Sequence, residues 1–231
     1  MEGKKEGGPR NATIVYSGGD DLFIVGAWNE VIELAVDLRR RFELYTEGTL
    51  TLSAGIGVYH DSYPISAIAS EVAEMEDASK SMPGKNAVTL LEDGGHHTIT
   101  ISGKQVKVKD GTCSWEEFEK RVLEDKLIPI RTFFDFSQDR GKAFLYHLLD
   151  LIRNQEERIN FARFVYLLSR MEPDERAGSE EREAYRVFSE KMFRWITEEQ
   201  DRAELKMAIT IYAYLTRNDG EGNHRENNYE Q

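Results

Sequence analysis

Ala12-Thr13-Ile14-Val15-Tyr16, Ser17-Gly18-Gly19-Asp20-Asp21 and Leu22-Phe23-Ile24-Val25-Gly26 form one unbroken stretch, and its reading decides the fold. The outer runs are β-branched or aromatic, the composition of buried strands. The glycines between them predict a tight hairpin. Such a hairpin carries two adjacent carboxylates, Asp20 and Asp21, to the end of a sheet. Hard oxygen ligands held on rigid strands suit a divalent cation and a nucleoside triphosphate. Metal-assisted nucleotidyl transfer needs little more from a protein than positioning and charge neutralisation. Taken alone, however, Gly-Gly-Asp-Asp is also ordinary turn chemistry.

The hairpin is followed by Trp28 to Tyr45, where Val31, Leu34, Ala35, Leu38 and Phe42 repeat at helical spacing. Arg39, Arg40 and Arg41 read as a solvated face at the helix C-terminus, where cations complement the dipole. Gly48 stops the helix. Leu50 to Tyr59 alternates as a strand. Pro64 opens a second helix whose apolar face is Ile65, Ile68, Ala69, Val72 and Met75. Pro83-Gly84 ends it, and Ala87 to Leu91 reads as a short strand. This order predicts a layered sheet with helices on one face.

Beyond Glu92-Asp93-Gly94-Gly95, Thr98 to Ser102 and Gln105 to Lys109 alternate around Gly103-Lys104, a second hairpin. From Ser114 the period turns helical. Ser114-Trp115-Glu116-Glu117 reads as an N-cap with a capping-box glutamate. Helices are expected near Trp115 to Glu124, Lys142 to Arg153, Arg158 to Arg170, Glu180 to Thr197 and Arg202 to Thr216. Phe161, Phe164, Val165 and Leu168 mark one core stripe, and Met207, Ile211, Tyr214 and Leu215 another.

With 231 residues, 40% of them apolar and 31% charged, the chain is long enough for a sizeable core and fits a globular protein. A net charge of −12 argues against broad nucleic-acid binding by this chain alone. Cys113 is the only cysteine, so no disulfide forms within the chain; this fits a reducing cytoplasm, the expected location. Nothing near Cys113 in sequence would lower its pKa, so it reads as structural. No apolar run reaches the length of a membrane span. His60, beside Asp61, reads as a solvated loop residue. His96-His97 lack a third ligand at metal spacing and read the same way. Met171, Met192 and Met207 read as core filler.

Leu52-Ser53-Ala54-Gly55-Ile56-Gly57, an Ala/Glu-rich helix, Ala78-Ser79-Lys80 and Gly84-Lys85-Asn86-Ala87 follow the hairpin in series. The series resembles the palm-type nucleotidyl cyclases, which include the GGDEF diguanylate cyclases. Two features depart from the latter: Asp20-Asp21-Leu22-Phe23 replaces their Asp-Glu-Phe, and an all-helical half follows. Tyr16 to Phe23, with Ser114-Trp115, Tyr166-Leu167-Leu168-Ser169-Arg170 and Tyr212-Ala213-Tyr214-Leu215, resembles the large subunit of type III CRISPR-Cas effector complexes, the Csm type more than the Cmr type. The resemblance runs from about Asn11 to Arg217.

It implies an α+β fold: a partial ferredoxin-like palm sheet, then an all-α helical bundle. The expected division is a flexible lead-in at 1–10, a palm at 11–92, a hairpin connector at 93–112, a helical domain at 113–217 and a disordered tail at 218–231. The implied activity is conversion of ATP into cyclic oligoadenylates when the complex binds target RNA. Asp20 and Asp21 would bind Mg²⁺ or Mn²⁺ and be catalytic; Ser17, Gly18 and Gly19 would line the nucleotide; Lys80 and Lys85 would meet phosphate. The implied partners are the rest of the large subunit, the other type III subunits, and guide and target RNA, with no membrane. Palms of this kind carry a further acid on a strand upstream of the hairpin. The chain is therefore expected to be a C-terminal piece, from a truncated or split subunit, inactive alone and in need of a partner. A non-catalytic fragment that binds small subunits or RNA, and a diguanylate-cyclase-like enzyme, are the other readings.

Overall fold

A computed structural model of the chain describes residues 9–91, 94–136, 141–153, 158–174 and 176–225. It divides into two compact units, Met1–Leu90 with Thr112–Trp115, and Leu91–Gly111 with Glu116–Gln231. Of the lead-in expected at 1–10, residues 1–8 lie outside the described residues. No helix among them is long and apolar enough to cross a membrane.

In the first unit, β1 (Ala12–Gly18) and β2 (Asp21–Gly26) form an antiparallel ribbon. Gly18 faces Asp21, so Gly19 and Asp20 are the two-residue turn. Gly19 has φ +63°, the left-handed value that the first central residue of a type II′ turn requires. Helix α1 (Trp28–Tyr45) follows and packs on β2. Arg10 ties the start of the ribbon to α1 through Glu33, at 3.0 Å, and Asp37. The Ala27 N–H donates to the Asn11 carbonyl at 2.8 Å. Gly48 ends the α1 region as expected, with φ +71° and its N–H donating to the Glu43 carbonyl.

The other sheet has order β3–β4–β7: β3 (Ala54–Ile56) runs parallel to β4 (Ala87–Leu90), and β7 (Thr112–Ser114) runs antiparallel to it. Helix α2 (Ile65–Lys80) makes the crossover from β3 to β4. It sits directly on β3: a Cβ at Gly55 would stand 2.4 Å from the Val72 carbonyl. Every residue of β4 is buried, and Trp115 is buried with its indole N–H donating to the Leu52 carbonyl at 2.9 Å.

Three expectations are corrected here. Among the described residues the strands do not form one sheet: β1 and β2 pair with each other and with no other strand. Their apolar residues are not buried: Ile14 is 61% and Tyr16 57% exposed. Two strands cannot cover both of their own faces, and α1 packs on β2. The strand expected over Leu50 to Tyr59 shrinks to Ala54–Ile56, and β7 supplies the third strand from a segment that the pattern assigned to the connector and helical half.

In the second unit, β5 (His96–Ile101) pairs with β6 (Lys104–Lys109) around Ser102-Gly103, both at positive φ, as a type I′ turn demands. Helix α3 (Trp115–Glu117), which begins on the last residue of the first unit, runs into a π-helical stretch, Phe118–Leu127, and then α4 (Ile128–Phe136). The sequence pattern assigns no helix over α4; the chain enters it from the π-helical stretch, where the Ile128 N–H donates to the Leu123 carbonyl five residues back. Helices α5 (Gly141–Arg153), α6 (Arg158–Ser169), α7 (Ser179–Trp195) and α8 (Glu199–Arg225) complete the bundle.

Its core is aromatic: Phe133 stacks on Phe188 at 4.3 Å, and Phe134 on Tyr212 at 5.4 Å. Met171, Met192 and Met207 are buried as expected. Phe164 and Leu168 are buried, but Phe161 is exposed. Lys126 is fully buried between Asp201, at 2.8 Å, and Glu204, at 2.7 Å. Helix α8 continues past Asn218, where a tail was expected; 226–231 lie outside the described residues.

Candidate active site

The site is built on the exposed end of the β1–β2 ribbon. Ser17 is the last but one residue of β1, Gly18 its last, and Asp21 the first of β2. Ser17, Gly19, Asp20 and Asp21 are all exposed. The strands flanking the turn fix the backbone, so the two carboxylates leave one rigid corner of the chain. Two carboxylates are a sufficient protein share for Mg²⁺, which keeps several waters and takes substrate phosphates as further ligands. The residues present therefore fit that ion as donors. Among the described residues, no group of three or more His, Cys, Asp or Glu is placed to hold a metal.

Lys80 ends α2 and forms an ion pair with Glu76 at 2.9 Å, one turn earlier. Its ammonium is held above the ordinary lysine value. The Glu76 hydrogen bond does most of this, desolvation opposes it, and the charges of Glu76, Asp21 and Asp77 add to it. Asp21, distant in sequence, is a minor contributor, and the ion partner of Lys80 is Glu76. Lys85 stands in the turn Gly84–Asn86, three successive residues at positive φ, with its N–H donating to the Met82 carbonyl at 2.8 Å. Among the described residues it makes no ion pair with Asp20 or Asp21.

His60 is exposed beside Asp61 and Ser62, as expected of a loop residue. Arg40 and Arg41 are exposed, whereas Arg39 lies largely covered and pairs with Glu43 at 3.0 Å. Cys113 is buried in β7.

The loop reading of His96-His97 is overturned. Both lie in β5, and His97 is buried with its Nδ1 2.9 Å from Asp110, which also binds Lys206. The signal was present: His97, Ile99 and Ile101 share one face of β5, and Val106, Val108 and Asp110 continue it on the partner side. The cluster Lys126, Asp201, Glu204 and Arg121 was also missed. Sequence pattern does not foretell a buried lysine whose partners lie on a distant helix.

Comparison with known proteins places these elements. The second palm domain of Cas10/Cmr2 matches residues 4–89, and the second helical domain of the Cmr2 subunit of the CRISPR RNA silencing complex matches residues 131–218. The Cas10/Csm1 protein of Mycobacterium tuberculosis, a single-strand-specific deoxyribonuclease of subtype III-A, is 42% identical over 209 residues, 90% of this chain and 23% of that protein. This chain belongs to the Cas10/Csm1 family of type III large subunits. It corresponds to a C-terminal portion of that subunit, palm first and helical domain second. The Cas10/Csm1 of Streptococcus thermophilus is 38% identical over 213 residues, 91% of this chain and 26% of that protein. The chain thus spans about a quarter of the length of these curated relatives. Among solved structures, a Csm1–Csm4 cassette in complex with one ATP superposes with a TM-score of 0.59 at 27% identity, covering 88% of this chain and 26% of the Csm1 chain matched.

Proposed function

We propose that this Cas10/Csm1 segment carries the metal-binding and phosphate-binding half of a nucleotidyl transferase that joins ATP into cyclic oligoadenylates. The observation that supports this reading is the exposed two-residue turn that carries Asp20 and Asp21, with Lys80 ending α2 in the same compact unit. Acids for the metal and a cation for phosphate are what a metal-bound triphosphate needs from its protein. The ATP held by the Csm1–Csm4 relative supports the choice of nucleotide.

In the reaction, a ribose 3′-hydroxyl attacks the α-phosphate of a second ATP. A 3′–5′ phosphodiester bond forms, the bond to pyrophosphate breaks, and the hydroxyl proton passes to solvent. Asp20 and Asp21 would hold Mg²⁺ or Mn²⁺, which when bound neutralises charge on the triphosphate. Gly19 admits the nucleotide close to the backbone because no Cβ intervenes, whereas at Gly18 that space is taken by the Tyr16 side chain. Ser17 offers a hydroxyl at the same edge. Lys80 stabilises the charge that moves onto the leaving phosphates, and Lys85 serves as a second phosphate contact from its turn. No side chain is assigned as general base.

The whole activity belongs to an assembly: the remainder of the large subunit, the other type III subunits, guide RNA and the target RNA that triggers synthesis, all in the cytoplasm. The deoxyribonuclease activity in the relatives' names is assigned to no residue of this chain. A second reading, a non-catalytic fragment that binds small subunits, is favoured by one observation: the described residues supply no third acid beside Asp20 and Asp21.

The test is ATP turnover with Mg²⁺ or Mn²⁺, read by mass spectrometry, for the chain alone and for the chain with the remaining subunits, guide RNA and target RNA. Cyclic oligoadenylates are expected only from the complete mixture, and none from Asp20→Ala/Asp21→Ala. Silence from a complex shown to be assembled would leave the second reading.

A further inference from the structure

Ser79 immediately precedes Lys80 in the last turn of α2, and its side chain is fully buried. Its hydroxyl lies 2.7 Å from the Ala54 carbonyl of β3 and 2.8 Å from the Thr89 hydroxyl of β4. Thr89, itself fully buried, lies 2.9 Å from the Thr112 hydroxyl of β7. Three hydroxyls from one helix and two strands thus form a continuous chain through the interior of the palm sheet.

The direction of the chain follows from its chemistry. A carbonyl only accepts, so Ser79 gives its single proton to Ala54, with the Met75 carbonyl a longer alternative at 3.3 Å. Thr89 therefore donates to Ser79, and Thr112 donates to Thr89. Every hydroxyl is satisfied, and a fully satisfied buried network fixes the geometry of what it joins.

Adhesion of α2 to the sheet does not require this chain. Gly55 already brings the α2 backbone onto β3, and valine at 89 and 112 would pack in a sheet at least as well. What the hydroxyls add is direction. Apolar contacts allow a helix to slide or rotate, whereas a hydrogen bond from Ser79 to the β3 backbone fixes both the depth and the rotation of the last turn. The next residue along is Lys80, whose ammonium reaches Glu76 and feels the charge of Asp21.

We infer that the Ser79–Thr89–Thr112 hydroxyl chain is a positioning device for Lys80, the proposed phosphate contact, because it fixes the last turn of α2 on the sheet. The inference rests on the proposed reading of Lys80 as a phosphate contact. Ser79 touches no substrate in this scheme; it acts through its neighbour.

The test is a double-mutant cycle on the full-length subunit within the assembled complex, with Mg²⁺-ATP binding at equilibrium as the readout and the unfolding temperature measured beside it. Lys80→Ala is expected to weaken ATP binding about tenfold, the effect of losing a charge-assisted contact. Ser79→Ala is expected to weaken it about fivefold, as expected for a lost buried hydrogen bond. In the Lys80→Ala background, Ser79→Ala should have no further effect, because its influence passes through Lys80. Thr112→Val should give a smaller loss in the same direction, with Thr112→Ser restoring the parental value.

Equal effects of Ser79→Ala in both backgrounds would overturn the inference and make the chain a purely structural feature. So would parental binding by Ser79→Ala and Thr112→Val while Lys80→Ala binds poorly. Should Lys80→Ala itself bind ATP normally, the phosphate reading of Lys80 fails, and the inference with it. Should Ser79→Ala not fold, the Thr112→Val and Thr112→Ser pair decides by the same criterion.

Discussion

The chain contains two antiparallel hairpins of nearly equal length with opposite fates. The β1–β2 ribbon leaves Ile14, Val15, Tyr16, Leu22 and Val25 exposed. The β5–β6 hairpin buries Ile99 and Val108 and ties itself down through charge: His97 to Asp110, Asp110 to Lys206, and the Thr98 N–H to Glu199 at 3.1 Å. Both have glycine-containing turns with the backbone signs their turn types require. Local propensity made each hairpin; what covers it decides whether the strands contribute stability or offer a surface. The ribbon that contributes least to the interior carries the proposed chemistry.

This contrast can be broken from either side. The largest effect is expected at the exposed turn: Asp20→Ala/Asp21→Ala should lower cyclic oligoadenylate synthesis by about a hundredfold or more in the assembled complex. The same substitution should change unfolding free energy by under about 0.5 kcal/mol, since the side chains are exposed. A comparable loss of stability would show that the turn is structural. In β5–β6 the signs reverse. Asp110→Ala removes the partner shared by His97 and Lys206 and should cost about 3 kcal/mol in a denaturant titration, with nucleotide binding unchanged.

Ile99→Ala should cost about 2–3 kcal/mol by leaving a cavity, whereas Ile14→Ala should cost under about 0.5 kcal/mol. Equal costs would show that β1 is covered in solution. The smallest effect is acid sensitivity. Burial pushes the Asp110 carboxyl up, but the hydrogen bonds and charges of His97 and Lys206 outweigh it and hold it below the usual range. A depressed folded-state value means that its stabilisation is complete above the unfolded value, near about pH 4. It is lost as pH falls through the still lower folded value. The unfolding temperature should therefore fall on acidification below about pH 4, less steeply in Asp110→Asn. An identical acid slope in the variant would show that Asp110 does not carry it.

Much of this architecture is legible in the sequence because it is local. The Gly19-Asp20 turn, α1 with its stop at Gly48, the buried run Ala87–Leu90 and the alternation through Val106 and Val108 need only a window of a few residues. What is not legible depends on distant partners. The exposure of Ile14 and Tyr16 goes with the lack of a further strand beside the ribbon among the described residues, which no local pattern encodes. Strand β7 is Thr-Cys-Ser, without alternation, and is a strand only because β4 offers an open edge. Helix α4 continues directly from the π-helical stretch Phe118–Leu127, whose five-residue hydrogen-bond spacing departs from the period by which helices are read. The candidate site divides the same way: Asp20 and Asp21 can be read from the motif, while the place of Lys80 depends on α2 being seated on β3 at Gly55.

The strand order β3–β4–β7 also has a consequence for synthesis on the ribosome. Residues are made from the N-terminus, so β3, α2 and β4 emerge before the β5–β6 hairpin, and β7 only after it. Throughout that interval β4, apolar along most of its length, presents one bare edge to every other nascent chain. A gene cut after Leu90, the last residue of β4, would make that interval permanent. A self-standing palm would have to keep Thr112–Trp115, joined to Leu90 by a short loop in place of the hairpin between them.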